Sequence, residues 1–279
     1  MIRTHFLFPL LLAATACLAH SSDDLNTLTK AEKVEGWQLL FDGKSTKGWI
    51  DPAKKTPPGN GWAIEDGCLK SLPHPRITED LVSERKFHDF ELVWDWKIAP
   101  KGNSGLKYRI QDFVVLTKAT EKPGSKKFED NLNYAMEKRA ASRAKLGSDE
   151  KAQDYVIGFE YQMIDDGLNP DALKDRRHTT GALYDMVSPS SHPAKPVGEF
   201  NHSRVVVRGN HVEHWLNGVK VVDSTLNGED ARKGLAARWG ESSEVYKLLT
   251  DEPHKDCPIS LQNHGADAWF RNIKIRALR

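Results

Sequence analysis

Two short segments carry side chains that could do chemistry together. Residues 158–165 read Gly-Phe-Glu-Tyr-Gln-Met-Ile-Asp, and residues 103–111 read Asn-Ser-Gly-Leu-Lys-Tyr-Arg-Ile-Gln. In a strand, successive side chains point to opposite faces. Glu160 and Gln162 then share one face with Ile164, and Phe159, Tyr161 and Met163 share the other. In the earlier segment Lys107, Arg109 and Gln111 lie on one face, with Leu106, Tyr108 and Ile110 opposite. A carboxylate, a carboxamide and a guanidinium on sheet faces make a wall able to grip a molecule rich in hydroxyls. The same alternation also describes a solvated outer face of an antiparallel sheet.

Individual roles follow from chemistry. Glu160 is the first candidate for a general acid or base, against a structural salt bridge. Asp165, at the end of the same strand, is the second, although Asp165-Asp166-Gly167 also reads as a turn. It lies on the Phe159 face, so only a bend would aim it beside Glu160. Arg109 is permanently charged and a planar multiple donor, suited to a developing oxyanion or a hydroxyl; a pair with Glu160 is its structural alternative. His214 is a candidate proton shuttle, yet it shares strand parity with Val212 and Leu216, which favours a satisfied core histidine. His264, in Gln-Asn-His-Gly, belongs to a turn at a cleft mouth or caps backbone there. Asn103, Ser104, Gln162, Tyr184 and Gln262 are candidate hydroxyl partners, each set against a turn or packing role. Arg271 shares a predicted face with Trp269, Ile273 and Ile275, where a guanidinium needs a partner. No ligand spacing demands a metal, although acids near histidines could hold a divalent ion, and no cofactor is implied.

The elements that would position these residues are short β segments. The chain has 279 residues and a net charge of +1, room for one large β domain with embellishments. Without a basic stripe, nucleic acid is not an expected partner. Residues 1–19 read as an export signal: Arg3 and His5 precede the apolar run from Phe6 to Ala14, followed by small-x-small sites. That run is too short to span a bilayer. Cleavage before Cys17 would leave a lipid anchor, so the mature protein is expected to be periplasmic, secreted or lipid-anchored. Residues 20–33 read as a flexible tether, and 34–279 as the domain. Cys68 and Cys257 remain, able to form a disulfide or to stay as two buried thiols.

Within the domain, Trp62–Ile64 and Gly67–Ser71 flank a turn. Leu92, Trp94, Trp96 and Ile98 alternate with polar residues. Segments 204–208, 212–217 and 219–223 form a meander with an Asn217-Gly218 hairpin turn. Segments 259–262 and 268–277 close the domain. Phe128 to Ala152 is charged and Ala-rich, hence a predicted helical insertion, and 229–250 also reads as helical. Many short antiparallel strands imply two packed sheets, and the outer face of a curved sheet would hold the ligand.

Ordered fragments along the chain carry a family resemblance. They run from Gly36-Trp37-x-x-Leu40-Phe41-Asp42-Gly43-Lys44 through Gly102-Asn103-Ser104-Gly105 with Tyr108-Arg109, Glu160-Tyr161-Gln162, Thr180-Gly181-Ala182-Leu183-Tyr184 and His214-Trp215-Leu216-Asn217-Gly218. Leu261-Gln262-Asn263-His264-Gly265 and Phe270-Arg271-Asn272-Ile273 complete the set. Over roughly 36–278 the chain resembles the 3-keto-disaccharide hydrolase family, with 3-keto-glucoside 1,2-lyase and 3-keto-2-hydroxy-glucal hydratase activities. The resemblance implies an all-β, concanavalin-like or laminin-G-like jelly-roll sandwich. It further implies an exported bacterial protein, often a lipoprotein, and an oligosaccharide or glycoside substrate already oxidised at C3. A sugar 3-dehydrogenase upstream would supply that ketone. The competing expectation is a carbohydrate-binding module without chemistry, since one sandwich serves many functions. Segments 117–154 and 229–256 look enlarged relative to a plain family core.

Overall fold

A computed structural model describes residues 25–52, 59–75, 77–138, 150–251 and 253–278. In chain order the helices are α1 (Lys30–Val34), α2 (Phe128–Lys138), α3 (Glu229–Trp239) and α4 (Glu244–Thr250). The strands are β1 (Gln38–Leu39), β2 (Trp49–Ile50), β3 (Trp62–Glu65), β4 (Cys68–Ser71), β5 (Ile77–Glu79), β6 (Leu81–Ser83) and β7 (Phe90–Ile98). They continue with β8 (Asn103–Thr117), β9 (Ala152–Ile164), β10 (Asn201–Arg208), β11 (His211–Leu216), β12 (Val219–Thr225), β13 (Ser260–Leu261) and β14 (Ala268–Ala277).

The alternation along β7 builds the core. Leu92, Trp94, Trp96 and Ile98 are all buried, each worth about 1.5–3 kcal/mol relative to exposure. They face Leu106 and Tyr108 of β8 and Phe159, Tyr161 and Met163 of β9, all in the same apolar cluster. Trp94 meets the Tyr161 ring edge-on with centroids 5.0 Å apart. Tyr161 in turn shares a 2.8 Å hydrogen bond with Ser203 of β10. Ser203 also accepts from the Trp96 indole at 2.8 Å, so the buried polar tips satisfy one another.

Two sheets sandwich this core. One runs β12-β11-β10-β7-β14-β4-β3, with β1 also on β14; the other runs β2-β6-β13-β8-β9-β5. This is the expected concanavalin-like jelly-roll sandwich. One pairing departs from pure antiparallel order: β5 lies parallel to β9. The two are joined by the long excursion through β6, β7 and β8, and no hairpin constrains their direction.

Two other expectations are corrected. The helical stretch anticipated to Ala152 is shorter: α2 ends at Lys138, and Ala152 already opens β9, paired with Thr117 of β8 and Ile77 of β5. Residues 139–149 lie outside the described residues. The tether expected over 20–33 is docked from residue 25 onward. Asn26 is buried and exchanges hydrogen bonds with Asn272, its amide also donating to the Gly67 carbonyl at 2.8 Å. Thr29 and Glu32 cap α1 reciprocally. Cys68 and Cys257 are both buried and unpaired. The expected helical region 229–250 is present as α3 and α4. The predicted export signal lies outside the described residues.

Candidate active site

The β8–β9 sheet presents its second face to a cleft of about 770 Å³, within the ~300–1,000 Å³ usual for small-molecule sites. Strand parity delivers the side chains. Gly105 of β8 pairs with Gln162 of β9, Lys107 with Glu160, and Asn103 with Ile164. Gln262 follows β13, its backbone N–H donating to the Gly105 carbonyl at 2.9 Å. Glu160 and Gln162, the pair that alternation put on one face, therefore line one cleft with Asn103, Gln262, Tyr184 and His264.

Gly105 is what lets Glu160 lie flat on the sheet. A Cβ at that position would stand 2.9 Å from the Glu160 carboxyl carbon and 3.0 Å from its Cγ, inside contact distance. Glycine within a strand marks such close approach.

Glu160 is buried, and no hydrogen bond among the described residues ends on its carboxylate. Burial pushes its pKa from the ordinary 4.5 up to about 7, against the pull of Lys107 and Arg238, with Asp80 and Asp185 adding to the rise. Lys107 is itself buried. Its ammonium sits 3.3 Å from Asp80, 3.2 Å from the Val156 carbonyl and 4.2 Å from the centre of the Tyr155 ring. Burial alone would lower the lysine pKa, but Asp80, Tyr155 and Glu160 together raise it, keeping it charged. One ammonium beside two carboxylates balances only one of them. Glu160 is consequently left able to gain or lose a proton near neutrality, as a general acid–base group requires.

A second charged chain forms the cleft wall. The Tyr184 hydroxyl donates to Asp171 at 2.7 Å. His178 lies between Asp171 at 3.2 Å and Asp185 at 2.6 Å and stacks on Tyr184 with centroids 4.7 Å apart. Arg238 of α3 pairs with Asp185 at 3.0 Å and lies over the Tyr184 and Trp239 rings. Burial would drive the imidazole pKa down, but the two carboxylates lift it to about 10. The His178 hydrogen bond holds Asp171 at about 2, against burial, with Tyr184 assisting. Asp171 therefore stays ionised while Glu160 titrates. His264 is exposed to the cleft; partial desolvation and the charge of Lys107 hold its pKa below the usual value. The amide oxygens of Asn103 and Gln262 are buried without a hydrogen-bond partner among the described residues.

Five expected site residues lie elsewhere. Arg109 has φ of +51° at an irregularity where β8 advances four residues, Tyr108 to Asp112, while β9 advances two, Phe159 to Ile157. Parity fails there, and the guanidinium turns to Asp89 at 3.2 Å and the carbonyls of Lys255 and Gly209. His214 is wholly buried. Its Nδ1–H faces the Gly181 carbonyl at 2.9 Å, and Nε2 accepts from the Tyr108 hydroxyl at 2.9 Å. Burial drives its pKa to about 4 against the lift from the Gly181 and Ala182 carbonyls, so it is the satisfied core histidine. Asp165 makes the turn: it accepts from the backbone N–H groups of Lys101, Gly167 and Leu168. Ser104 faces the core and donates to the Gln262 carbonyl at 2.7 Å, pinning the loop that carries Gln262. Arg271 lies on the opposite sheet. A bulge between Arg271 and Lys274 flips the parity, sending Ile273 and Ile275 inward. The guanidinium stays outside, 3.6 Å over the Phe200 ring and 3.7 Å from Asp95.

Sequence reasoning missed Asp80, Asp171, His178, Asp185 and Arg238. They come from a short connection, a long loop and a helix, so no periodicity links them. Lys107 was on the right face and carried a usable signal, as did Gly105. Among the described residues, one group has metal-ligand spacing: His211, Glu213 and Asp223. It lies on β11 and β12 of the other sheet, outside the cleft, where Lys220 already pairs with Glu213 and Asp223.

The fold and cleft together define a β-sandwich protein with a polar, ionisable hollow suited to a polyhydroxylated molecule. Residues 36–276 match the 3-keto-alpha-glucoside-1,2-lyase-like domain, and the chain belongs to that family. A Bacteroides thetaiotaomicron protein named 3-keto-disaccharide hydrolase is 29% identical over 269 residues, covering 91% of this chain and 83% of its own. A crystal structure from Parabacteroides distasonis with a provisional glycosyl hydrolase name is 29% identical, with a TM-score of 0.67, covering 91% of this chain and 100% of that one. A second from the same organism, 21% identical with a TM-score of 0.56 over 87% of this chain and 99% of that one, shares the fold.

Proposed function

We propose that this protein cleaves 3-keto-glycosides by β-elimination followed by hydration, a net hydrolysis of the glycosidic bond. Family membership and the named relative support an enzyme acting on sugars. The observation that carries the reaction is Glu160, a buried carboxyl with a pKa near 7 on the floor of a polar cleft.

A ketone at C3 acidifies the hydrogen on C2, since the electron pair left behind delocalises onto the ketone oxygen. Glu160 takes that proton. The pair then closes the C1–C2 double bond as the C1–O bond breaks, and the leaving oxygen takes a proton from solvent, which the neutral, cleft-exposed His264 can relay. Water adds to C1, a proton returns to C2, and the 3-keto sugar is released. The enolate oxygen needs donors and positive potential. Asn103, Gln162 and Gln262 supply amide donors, and Lys107 and Arg238 supply charge, the part first assigned to Arg109. Ionised Asp171, steadied by His178 and Tyr184, is placed to accept hydroxyl hydrogen bonds. This route avoids the oxocarbenium-like transition state of ordinary glycosidases.

The test is incubation of purified protein with 3-keto-trehalose and a 3-keto-glucoside, following free 3-keto-glucose by mass spectrometry. Release by wild type and its loss in Glu160→Gln with binding retained is expected. Binding without turnover in wild type would leave a carbohydrate-binding module. The export signal is part of the same proposal: the N-terminus of the mature protein should lie beyond residue 16, free or acylated on Cys17.

A further inference from the structure

The cleft has two chemically different ends. Around Gln162 it is lined by hydrogen-bonding groups: Asn103, Gln262 and His264. The other end is lined by Tyr155 and Gln153 of β9 and by Phe128 and Glu129 of α2, with the two aromatic rings as its apolar surface. These rings meet at 5.0 Å and 66°, with Trp239 backing both at 6.4 Å. The Lys107 ammonium lies against the Tyr155 ring, whereas Phe128 is only partly buried.

Length separates the two ends. From Gln162 to Tyr155 is seven residues of one strand, about 23 Å of backbone at the usual rise, more than a single pyranose spans. Glu160 stands between them, nearer the amide end. The bond to be broken therefore lies near Glu160, with one ring on either side.

Connectivity supports this assignment. Antiparallel neighbours such as β8 and β9 can be joined by a hairpin of a few residues. Here the chain between them runs from residue 118 to 151 and includes α2, which brings Phe128 to the cleft.

We propose that Phe128, carried by the insertion between β8 and β9, forms a leaving-group subsite for a flat ring, an aryl group or a second pyranose, and so sets aglycone selectivity. This rests on the 3-keto-glycoside reading, with the oxidised sugar at the amide end. An aromatic face packs on the C–H face of a sugar or on another ring and gains little from a methyl group.

The experiment compares kcat/KM of wild type, Phe128→Leu and Phe128→Ala on methyl 3-keto-glucoside, phenyl 3-keto-glucoside and 3-keto-trehalose. The leucine variant keeps apolar packing against Tyr155 and Trp239 but has no flat face. The expected result is a roughly tenfold fall in the phenyl-to-methyl ratio in both variants, corresponding to about 1.4 kcal/mol. A matching fall in the trehalose-to-methyl ratio would show that a pyranose uses the subsite too; a fall confined to phenyl would assign it to aryl groups. Equal losses on all three substrates, or unchanged ratios, would overturn the inference. Absence of wild-type turnover on every substrate would instead overturn the enzymatic reading.

Discussion

Glu160→Gln should sharply reduce activity and stabilise the protein above neutral pH. Burial raises the Glu160 pKa from 4.5 to about 7, while the unfolded chain keeps the ordinary value. Between those two pH values the folded state holds a proton that the unfolded chain has released. Wild-type stability therefore declines as pH rises through this window. At about 1.4 kcal/mol for each tenfold, the full contribution is about 3 kcal/mol, reached above pH ~7 and absent below pH ~4. Glutamine is nearly isosteric and does not ionise, so the variant escapes the decline. Urea unfolding of both proteins should show a stability gap that shifts by about 3 kcal/mol in the variant's favour between pH ~4 and pH ~8, large against a typical total of ~5–15 kcal/mol. In parallel, kcat should fall by about 10²–10⁴-fold, the usual share of a general acid–base group. A gap that stays constant with pH would refute the reasoning, because Glu160 would then titrate normally in the folded protein.

Further expectations concern its neighbours. Lys107→Met should move the rising limb of the kcat/KM–pH profile upward from about 7, by ~1–3 pH units for a lost close charge; adding Asp80→Asn should reverse part of that move. An unmoved limb would exclude Glu160 as the titrating group. Gly105→Ala places a methyl group against the Glu160 carboxyl; kcat should drop at least tenfold, with a stability loss of about 1–3 kcal/mol. His178 gains stability from a pKa raised to about 10, fully present below its unfolded 6.5 and lost as pH rises through 10. The destabilisation of His178→Ala, followed by urea unfolding, should therefore shrink across that range. Arg109→Met should cost about 3 kcal/mol by stranding its partners, while the folded fraction retains wild-type kcat in a turnover assay.

Regular alternation made the sandwich and the cleft floor legible. Leu92 to Ile98, Phe159 to Met163 and the Glu160/Gln162 face all follow period two, and each residue lies where that period puts it. The failures cluster where the period breaks. Arg109 sits in a left-handed conformation at the β8 irregularity, and Arg271 precedes Asn272, also left-handed at +52°. One extra residue in β14 flips every later side chain, two extra residues in β8 throw Arg109 out of phase, and nothing local in the sequence announces either. The wall of the cleft was illegible for another reason. Asp171, His178 and Asp185 meet Arg238 across more than fifty residues, through a loop and a helix whose docking depends on the finished sheet. His214 shows the converse: its parity with Val212 and Leu216 already pointed to the core, where Tyr108 and Gly181 satisfy both ring nitrogens.

The most direct test of the central claim follows the fate of the hydrogen on C2. A 3-keto-glucoside is turned over in D₂O by wild-type protein, and the released 3-keto-glucose is examined by NMR and mass spectrometry. Removal of that hydrogen by Glu160 predicts deuterium at C2 of the product and none in substrate recovered from Glu160→Gln. Cleavage that leaves the C2 hydrogen fully in place would contradict the elimination and return the protein to direct displacement at C1.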